Sequence, residues 1–365
     1  MSMNRRELLT ASALLLGGPG FSLRSAVAKG AAAAPLVLCW NENPYGPSPA
    51  ARQAVSRSIS EGCRYPSDAE IDDLVSALAR REGTDAAHIV TGTGSGELLS
   101  ALALIFGRDG GEFIAAQPTY LELPDYASVI GATTRFVPVD LALRHDLVAM
   151  RAAVSGNTRA VYLCNPNNPT GTALGASEIK AFIAELPAQV VTIVDEAYMD
   201  FTTGPDVRSA VDLVDGERQV IVLRTFSKIH GMAGMRMGYA IARPEIAERL
   251  RKARMTSPNI LAVRAARASL DDKAFLGATR RKILASRTRI TTELTGLNLR
   301  YAEPQGNFVF FDTGMPLAAF AQGMKQRNVL VGRLFPPYST WCRITIGTEP
   351  EVDTFLGALR ETVRA

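Results

Sequence analysis

Four short clusters follow one another through the middle of the chain: Asn-Pro-Asn-Asn-Pro-Thr-Gly at 165–171, Val-Asp-Glu-Ala-Tyr at 194–198, Thr-Phe-Ser-Lys at 225–228 and Gly-Met-Arg at 234–236. Asp195 ends a run of apolar, β-branched residues, and an acid in that position is costly to bury without a partner. The order of the four clusters is specific, so we expect them to carry the chemistry of the protein.

Around these clusters, short β-rich runs alternate with amphipathic or long connecting stretches. This alternation predicts an α/β fold whose mostly parallel sheet is covered on both faces. Seven strands are expected, at His88–Thr91, Glu112–Ala116, Thr133–Val139, Ala160–Cys164, Val190–Val194, Val220–Leu223 and Met237–Ile241.

From about Pro244 the pattern changes to long helices rich in arginine, followed by three strand-like pieces and a closing helix. Helices packed on one side of a small sheet predict a second, smaller α+β domain. We therefore divide the chain into an N-terminal segment (1–28), an arm (29–50), a large domain (51–250) and a small domain (251–365). The boundary near residue 250 is expected to fall in a continuous helix.

The composition is close to the globular average, which makes a soluble globular enzyme the default expectation. The chain has 365 residues, of which 47% are hydrophobic and 21% charged, and this length suits roughly two domains. The formal charge of +4 is 40 basic minus 36 acidic residues, and residues 1–28 supply half of it, so no basic stripe remains for nucleic acid. The four cysteines lack the spacing of a metal site, so no metal is expected and buried free thiols are the prediction.

The first 28 residues resemble a twin-arginine export signal. Arg5 and Arg6 precede a mildly apolar run, and Ala26-Val27-Ala28 matches a cleavage site. The apolar run is too short to cross a bilayer, for which about 20 residues are needed, so no membrane span is expected. The prediction is a periplasmic or otherwise exported protein, and the alternative is an uncleaved extension on a cytoplasmic one.

A glycine-rich stretch, Thr-Gly-Thr-Gly-Ser-Gly-Glu-Leu-Leu at 91–99, follows a predicted strand and opens a predicted helix. Backbone N–H groups at a helix start, together with the helix dipole, form an anion site. The stretch lacks the lysine of a P-loop and the spacing of a dinucleotide fingerprint. Taken alone, a tight strand-to-helix turn is an equally good interpretation.

Taken together, the clusters resemble those of the fold-type I pyridoxal-phosphate aminotransferases. The opening Asn-Glu-Asn-Pro-Tyr-Gly-Pro-Ser-Pro at 41–49 is similar to that of the histidinol-phosphate aminotransferases. The resemblance covers nearly everything after residue 35. It implies the fold-type I architecture and pyridoxal 5'-phosphate as cofactor, and the reaction class needs a lysine, an acid and an anion cradle.

The resemblance assigns the catalytic roles to three residues. Lys228 would form the Schiff base and move the proton between substrate carbon and cofactor. Asp195 would pair with the pyridinium nitrogen and keep it protonated. Tyr198, with Asn168, would donate to the ring hydroxyl oxygen, although Asn168 also suits a turn before Pro169.

Further residues would hold the cofactor. The phosphate would rest on the backbone at Ser95 and Gly96, on the hydroxyls of Thr225 and Ser227, and on Arg236. Two tyrosines complete the set: Tyr120 would stack on the ring, and Tyr65 matches the family position that reaches the phosphate from the other subunit, which implies a homodimer. The family usually has an acid where Gly96 stands, but the contact expected there is made by the backbone.

Substrate binding would fall to Arg343 and Arg333, whose planar guanidinium groups suit a carboxylate or a phosphate, with Tyr45 and Asn43 of the arm lying over the pocket. The predicted function is transfer of an amino group from an amino acid or a histidinol-phosphate-like amine to a 2-oxo acid. A decarboxylase, lyase or oxidase on the same scaffold stays open. A non-catalytic scaffold is disfavoured, because it would need none of the catalytic residues.

Overall fold

The computed structural model describes residues 34–364, so the predicted export signal at 1–28 lies outside the described residues. Eleven strands are present in that range. They are β1 (Leu36–Val37), β2 (Ile89–Gly92), β3 (Glu112–Gln117), β4 (Thr133–Pro138), β5 (Thr158–Cys164), β6 (Val191–Asp195), β7 (Val220–Thr225), β8 (Gly238–Ile241), β9 (Phe308–Asp312), β10 (Val329–Leu330) and β11 (Trp341–Thr345).

Eleven α-helices accompany these strands in the same range. They are α1 (Pro49–Ser58), α2 (Asp68–Glu82), α3 (Ser95–Gly107), α4 (Glu122–Val129), α5 (Leu147–Ala152), α6 (Ala176–Glu185), α7 (Pro244–Ala253), α8 (Ile260–Asp271), α9 (Lys273–Gly296), α10 (Leu317–Gln326) and α11 (Glu349–Arg364). None of these helices is both long and apolar enough to cross a membrane.

The central sheet has seven strands in the order β2-β8-β7-β6-β5-β3-β4. Strand β8 runs antiparallel to both of its neighbours, and the other pairs are parallel. All seven strands expected from the sequence are present, and the mostly parallel α/β architecture is confirmed.

Both faces of the sheet are buried, because successive side chains of each strand enter different cores. In β7, Val220 and Val222 belong to the core that contains α1, α2, α6 and α8, whereas Ile221 and Leu223 belong to the core under α3, α4 and α7. This alternation is the period of two that a strand imposes on its side chains. It explains why the sequence of the strand reads as a continuous apolar run.

The C-terminal region differs in one respect from the expectation of a small three-stranded sheet. Strands β9 and β11 pair antiparallel, but β10 pairs parallel with β1, which belongs to the arm. The arm continues between them, since the N–H of Leu38 donates to the carbonyl of Leu330 and the carbonyl of Leu38 accepts from Thr345. The backbone of the arm is therefore hydrogen-bonded to both β10 and β11, and it joins these two strands of the small domain.

Residue 250 lies within α7, which ends at Ala253, and the chain is irregular until α8 begins at Ile260. Helix α8 packs its apolar side chains into the same core as α1 and α2, and the core around β9 and β11 takes its helical side chains from α9, α10 and α11. The turn between α8 and α9 at Asp272 is thus where the chain passes from one core to the other.

The prediction of buried free thiols is correct for two of the four cysteines. All four are unpaired; Cys164 and Cys342 are buried, Cys39 is partly buried and Cys63 is exposed. Cys63 lies in the short connection between α1 and α2, where no core element covers it.

Candidate active site

A cleft of about 360 Å³ opens where β5, β6 and β7 end and α3 begins. It brings together most of the site residues that the sequence predicted: Ser95, Gly96, Tyr120, Asn168, Asp195, Tyr198, Thr225, Ser227, Lys228, Arg236, Arg333 and Arg343. The grouping follows from topology, because the carboxyl ends of parallel strands face the same side of a sheet.

The start of α3 forms an anion cradle. Its N-cap, Gly94, has a φ of +86°, and a Cβ atom there would lie 2.4 Å from the Arg236 guanidinium. A Cβ atom at Gly238 would lie 2.4 Å from the backbone nitrogen of Ser95. Gly94 is therefore favoured by its positive φ and Gly238 by the close approach of the Ser95 backbone. The first backbone N–H groups of α3, which lack helical partners, remain available to a ligand.

The other side of this cradle is held by hydroxyl and guanidinium groups. Thr225 Oγ1 donates to Ser227 Oγ at 2.9 Å, and Arg236 Nη1 lies 3.5 Å from the same oxygen. Arg236 has a φ of +57°, a left-handed conformation that is unfavourable for an arginine. Strained residues of this kind concentrate at ligand sites.

Asp195 ends β6 at the base of the cleft. One of its carboxylate oxygens accepts a hydrogen bond from the Tyr162 hydroxyl at 3.1 Å, and the other accepts from the Ala197 backbone at 3.1 Å. Burial raises the pKa of Asp195 to about 6, and these hydrogen bonds oppose the rise. The carboxylate can therefore pair with a cationic group that enters the cleft.

Lys228 projects its amino group into the cleft, where Nζ donates to the Asn41 carbonyl at 2.9 Å. Burial and the positive charge of Arg343 lower the pKa of this amine to about 8. About a tenth of Lys228 is thus in the neutral, nucleophilic form at pH 7, far more than of an ordinary lysine, and a lysine that attacks a carbonyl carbon needs this form.

Tyr198 and Asn168 lie beside the lysine. The Tyr198 oxygen accepts from the side-chain amides of Asn41 at 3.2 Å and Asn168 at 3.4 Å. Because both amides donate to this oxygen, the Tyr198 O–H remains free to donate to a ligand. Burial also raises the pKa of Tyr198, so the hydroxyl keeps its proton.

Arg343 connects the cleft to the arm. Its Nη1 donates to Asn168 Oδ1 at 2.5 Å and its Nη2 donates to the Cys39 carbonyl at 2.7 Å, while its buried Nε has no hydrogen-bond partner. The guanidinium groups of Arg343 and Arg333 both lie against the Phe335 ring, at 5.0 and 4.8 Å from its centroid. Arginines held in this way present a fixed cationic surface to an anionic substrate.

Three of the predicted site residues do not line the cleft of their own chain. The side chain of Asn43 donates to the Ile229 carbonyl of the large domain and accepts from the Tyr45 backbone within the arm. Tyr45 instead lies under the Lys282 ammonium group. Tyr65 is 89% exposed, and its reach into a second subunit stays a prediction.

Besides Ala197 and Ala233, sequence reasoning missed five larger side chains of the cleft: Trp40, Asn41, Thr119, Cys164 and Phe335. Four of these lie in or next to sequence segments that the prediction used, so their position near the cleft could have been inferred from the sequence. What the sequence did not indicate is which way each side chain faces. Asn41, for example, reaches the cleft with a φ of +54°.

Almost the whole described chain is similar to known proteins. Residues 34–359 match the family model of aminotransferase class I and II. A histidinol-phosphate aminotransferase from Moorella thermoacetica is 38% identical over 89% of this chain and 84% of that protein. An aromatic amino acid aminotransferase from Cutibacterium acnes is 36% identical over 90% of this chain and 92% of that protein.

Among solved structures, the histidinol-phosphate aminotransferase from Sinorhizobium meliloti in complex with pyridoxal-5'-phosphate is similar to this chain. The two superpose with a TM-score of 0.83 at 29% identity, covering 91% of each chain.

The pKa of Lys228 leads to a labelling prediction. In the cofactor-free protein, acetylation of Lys228 by acetic anhydride should reach half of its maximal rate near pH 8, against about 10.4 for a lysine in the urea-unfolded chain. Arg343→Gln removes a neighbouring positive charge, so this midpoint should rise. Mass spectrometry of the Lys228 peptide measures the midpoint, and a value equal to that of the unfolded chain would show that burial and Arg343 do not lower the pKa of Lys228.

Proposed function

The chain belongs to the aminotransferase class I and II family and is a histidinol-phosphate aminotransferase-like enzyme that uses pyridoxal 5'-phosphate, and we propose that Lys228, Asp195, Tyr198 and the cradle at α3 form its active site. The observation that carries this proposal is the coincidence, in one cleft, of a lysine with a lowered pKa, a buried carboxylate and an anion cradle. No single one of these features would identify the site.

The residues of the cleft suit the cofactor at each of its polar groups. The backbone of Ser95 and Gly96, the hydroxyls of Thr225 and Ser227, and Arg236 would hold the phosphate, since these donors surround one space. Asp195 would face the pyridine nitrogen, and Tyr198 and Asn168 would face the ring oxygen. Tyr120, which is 37% exposed at the cleft, would cover one face of the ring.

When bound, the cofactor carries the substrate amino group and draws the electrons of the broken bond into its ring. Lys228 would hold the cofactor covalently and then, once released, accept and return the proton at Nζ. Its lowered pKa suits both tasks, because a protonated amine can neither attack nor accept a proton. Tyr198 would donate its O–H, which the two neighbouring amides leave free.

Arg343 and Arg333 would bind the acidic groups of the amino donor and of a 2-oxo acid such as 2-oxoglutarate. The charged side chains lining the cleft are four cations and the carboxylate of Asp195. With Lys228 and Arg236 assigned to the cofactor, Arg333 and Arg343 are left to attract an anionic substrate. A histidinol-phosphate-like amine and an aromatic amino acid are the two donor classes that relatives of this chain support.

A panel of amino donors tests this function. Mixing each donor with holoenzyme and 2-oxoglutarate should yield glutamate and the 2-oxo product without release of carbon dioxide. Carbon dioxide or ammonia formed in place of glutamate would favour a decarboxylase or lyase on the same scaffold.

Asp195→Asn should keep the cofactor but lose most of the activity. The cradle at α3 is untouched, but a neutral amide no longer favours the protonated pyridine, and a hydrogen bond to a charged group contributes about 1.5–3 kcal/mol, or roughly 10- to 150-fold. Tyr198→Phe removes one hydrogen bond of about 1 kcal/mol and should cost about fivefold. Rates of the half-reaction and the cofactor content measure both, and equally small losses would contradict the assigned role of Asp195.

We further propose a homodimer in which Tyr65 completes the partner's active site. Tyr65 is 89% exposed, and Ile59 on the same segment is 64% exposed. Such apolar side chains, exposed on an ordered segment, favour an interface. The resemblance to the family supports the same arrangement.

Subunit mixing tests this arrangement. Lys228→Ala and Tyr65→Phe proteins, each of low activity at limiting cofactor, should regain activity when their subunits exchange, because each heterodimer then has one fully native site. Random exchange should restore roughly a quarter of wild-type activity in a symmetric dimer. Absence of recovery, after exchange is verified by mass spectrometry, would place Tyr65 outside the partner's site.

We also propose that the enzyme is exported to the periplasm in folded form through its twin-arginine segment, with a cytoplasmic location as the alternative. Arg5→Lys with Arg6→Lys should retain the protein in the cytoplasm without changing the activity of the purified enzyme, since residues 1–28 precede all of the proposed site residues. Fractionation of expressing cells measures this, and an unchanged distribution would favour an uncleaved extension. Export would also argue against histidinol phosphate itself as the substrate, because that metabolite is made in the cytoplasm.

A further inference from the structure

The mouth of the cleft has an exposed indole that the proposed chemistry does not use. Trp40 lines the cleft and is 68% exposed, whereas Phe335, the other apolar aromatic residue lining it, is 5% exposed. Tyr120 and Tyr198 also line the cleft, but the function proposed above assigns both to the cofactor. Trp40 is therefore the aromatic side chain left for the substrate.

The backbone around Trp40 is held firmly on both sides. The carbonyl of Cys39 accepts from Arg343 at 2.7 Å, and the N–H of Asn41 donates to Thr345 Oγ1 at 2.8 Å. The Trp40 carbonyl itself lies 3.5 Å from Lys228 Nζ. An exposed side chain on so fixed a backbone has already lost part of the freedom that it would lose on binding a ligand.

The same contacts bring Trp40 next to the path of the substrate. The reacting amino group of the substrate must come to Lys228, and the acidic group of the substrate is expected at Arg343. Residues 39–41 contact both of these side chains. A substrate that spans the two groups would thus run along this segment, beside Trp40.

Resting on the function proposed above, we propose that Trp40 determines the specificity for the amino donor by packing its indole against a planar, aromatic donor side chain. An indole offers a large flat surface with few rotatable bonds, which favours aromatic partners over alkyl chains of similar size. Phe335 is less suited to this task, because the guanidinium groups of Arg333 and Arg343 already lie against its ring.

The first arm of the test is kinetic. In half-reactions of the holoenzyme, Trp40→Ala should raise the half-saturating concentration of phenylalanine about tenfold relative to that of norleucine, and Trp40→Phe should restore most of the difference. The matched control is Trp341→Phe, which removes the other tryptophan, a residue packed on Phe310 at 5.0 Å. Equal effects of Trp40→Ala on both donors would overturn the proposal.

The second arm is independent of turnover. The chain has two tryptophans, so in Trp341→Phe holoenzyme the indole fluorescence comes from Trp40. Titration with 3-phenylpropionate, an aromatic acid without an amino group, should change this emission saturably, and hexanoate should not. An emission that responds to neither acid would overturn the proposal.

The two arms separate the proposal from the function on which it rests. If glutamate forms from several donors but Trp40→Ala leaves their ranking unchanged, the specificity role fails and the aminotransferase function stands. If no donor reacts with wild-type holoenzyme, the proposed function fails, and the fluorescence titration still decides whether Trp40 contacts an aromatic acid.

Discussion

The excess of positive charge around one lysine is the constraint on which the rest of the cleft depends. Lys228 lies partly buried among arginines, and the lining charges are four cations against the single carboxylate of Asp195. Such an excess of positive charge is unfavourable in a protein interior. The fold tolerates it by directing backbone carbonyls at the cations: those of Asn41, Cys39 and Ala233 accept from Lys228, Arg343 and Arg236. The anionic cofactor would neutralise most of what remains.

A second, buried set of charged side chains lies next to the strands that carry this charge cluster. Arg224 in β7 lies 3.0 Å from Glu196, the residue after Asp195, and 3.6 Å from Glu82 at the end of α2. The Tyr239 hydroxyl of β8 donates to Glu82 at 2.6 Å. These contacts join α2, β7 and β8 to the residue that follows Asp195, and removing one member of a buried ion pair would leave an uncompensated charge.

The large domain could be predicted from sequence because its signals are local. Each strand of the central sheet reads as a short apolar run, and the observed bounds differ from the expected ones by one or two residues. The pairing of β10 with β1 could not be predicted in the same way, because it joins segments almost 300 residues apart and each strand is only two residues long. A segment of two residues is too short for its length or its hydrophobic periodicity to indicate a strand.

The site residues could be predicted where the chemistry requires one residue type. They were harder to predict where backbone geometry determines which side chain reaches the cleft. Lys228, Asp195 and Arg236 stand in motifs whose chemistry demands them. Asn43 was expected over the pocket but forms the turn of the arm, and Asn41, two residues earlier, reaches the Tyr198 hydroxyl instead. The positive φ of Asn41 decides between them, and no pattern in the arm indicated it.

The most direct test of the account is to find which lysine carries the cofactor. Holoenzyme reduced with borohydride, digested and analysed by mass spectrometry should have the cofactor on the peptide that contains Lys228, at close to one per chain. Attachment to any other lysine, or no covalent attachment, would contradict the assignment of the cleft as the active site.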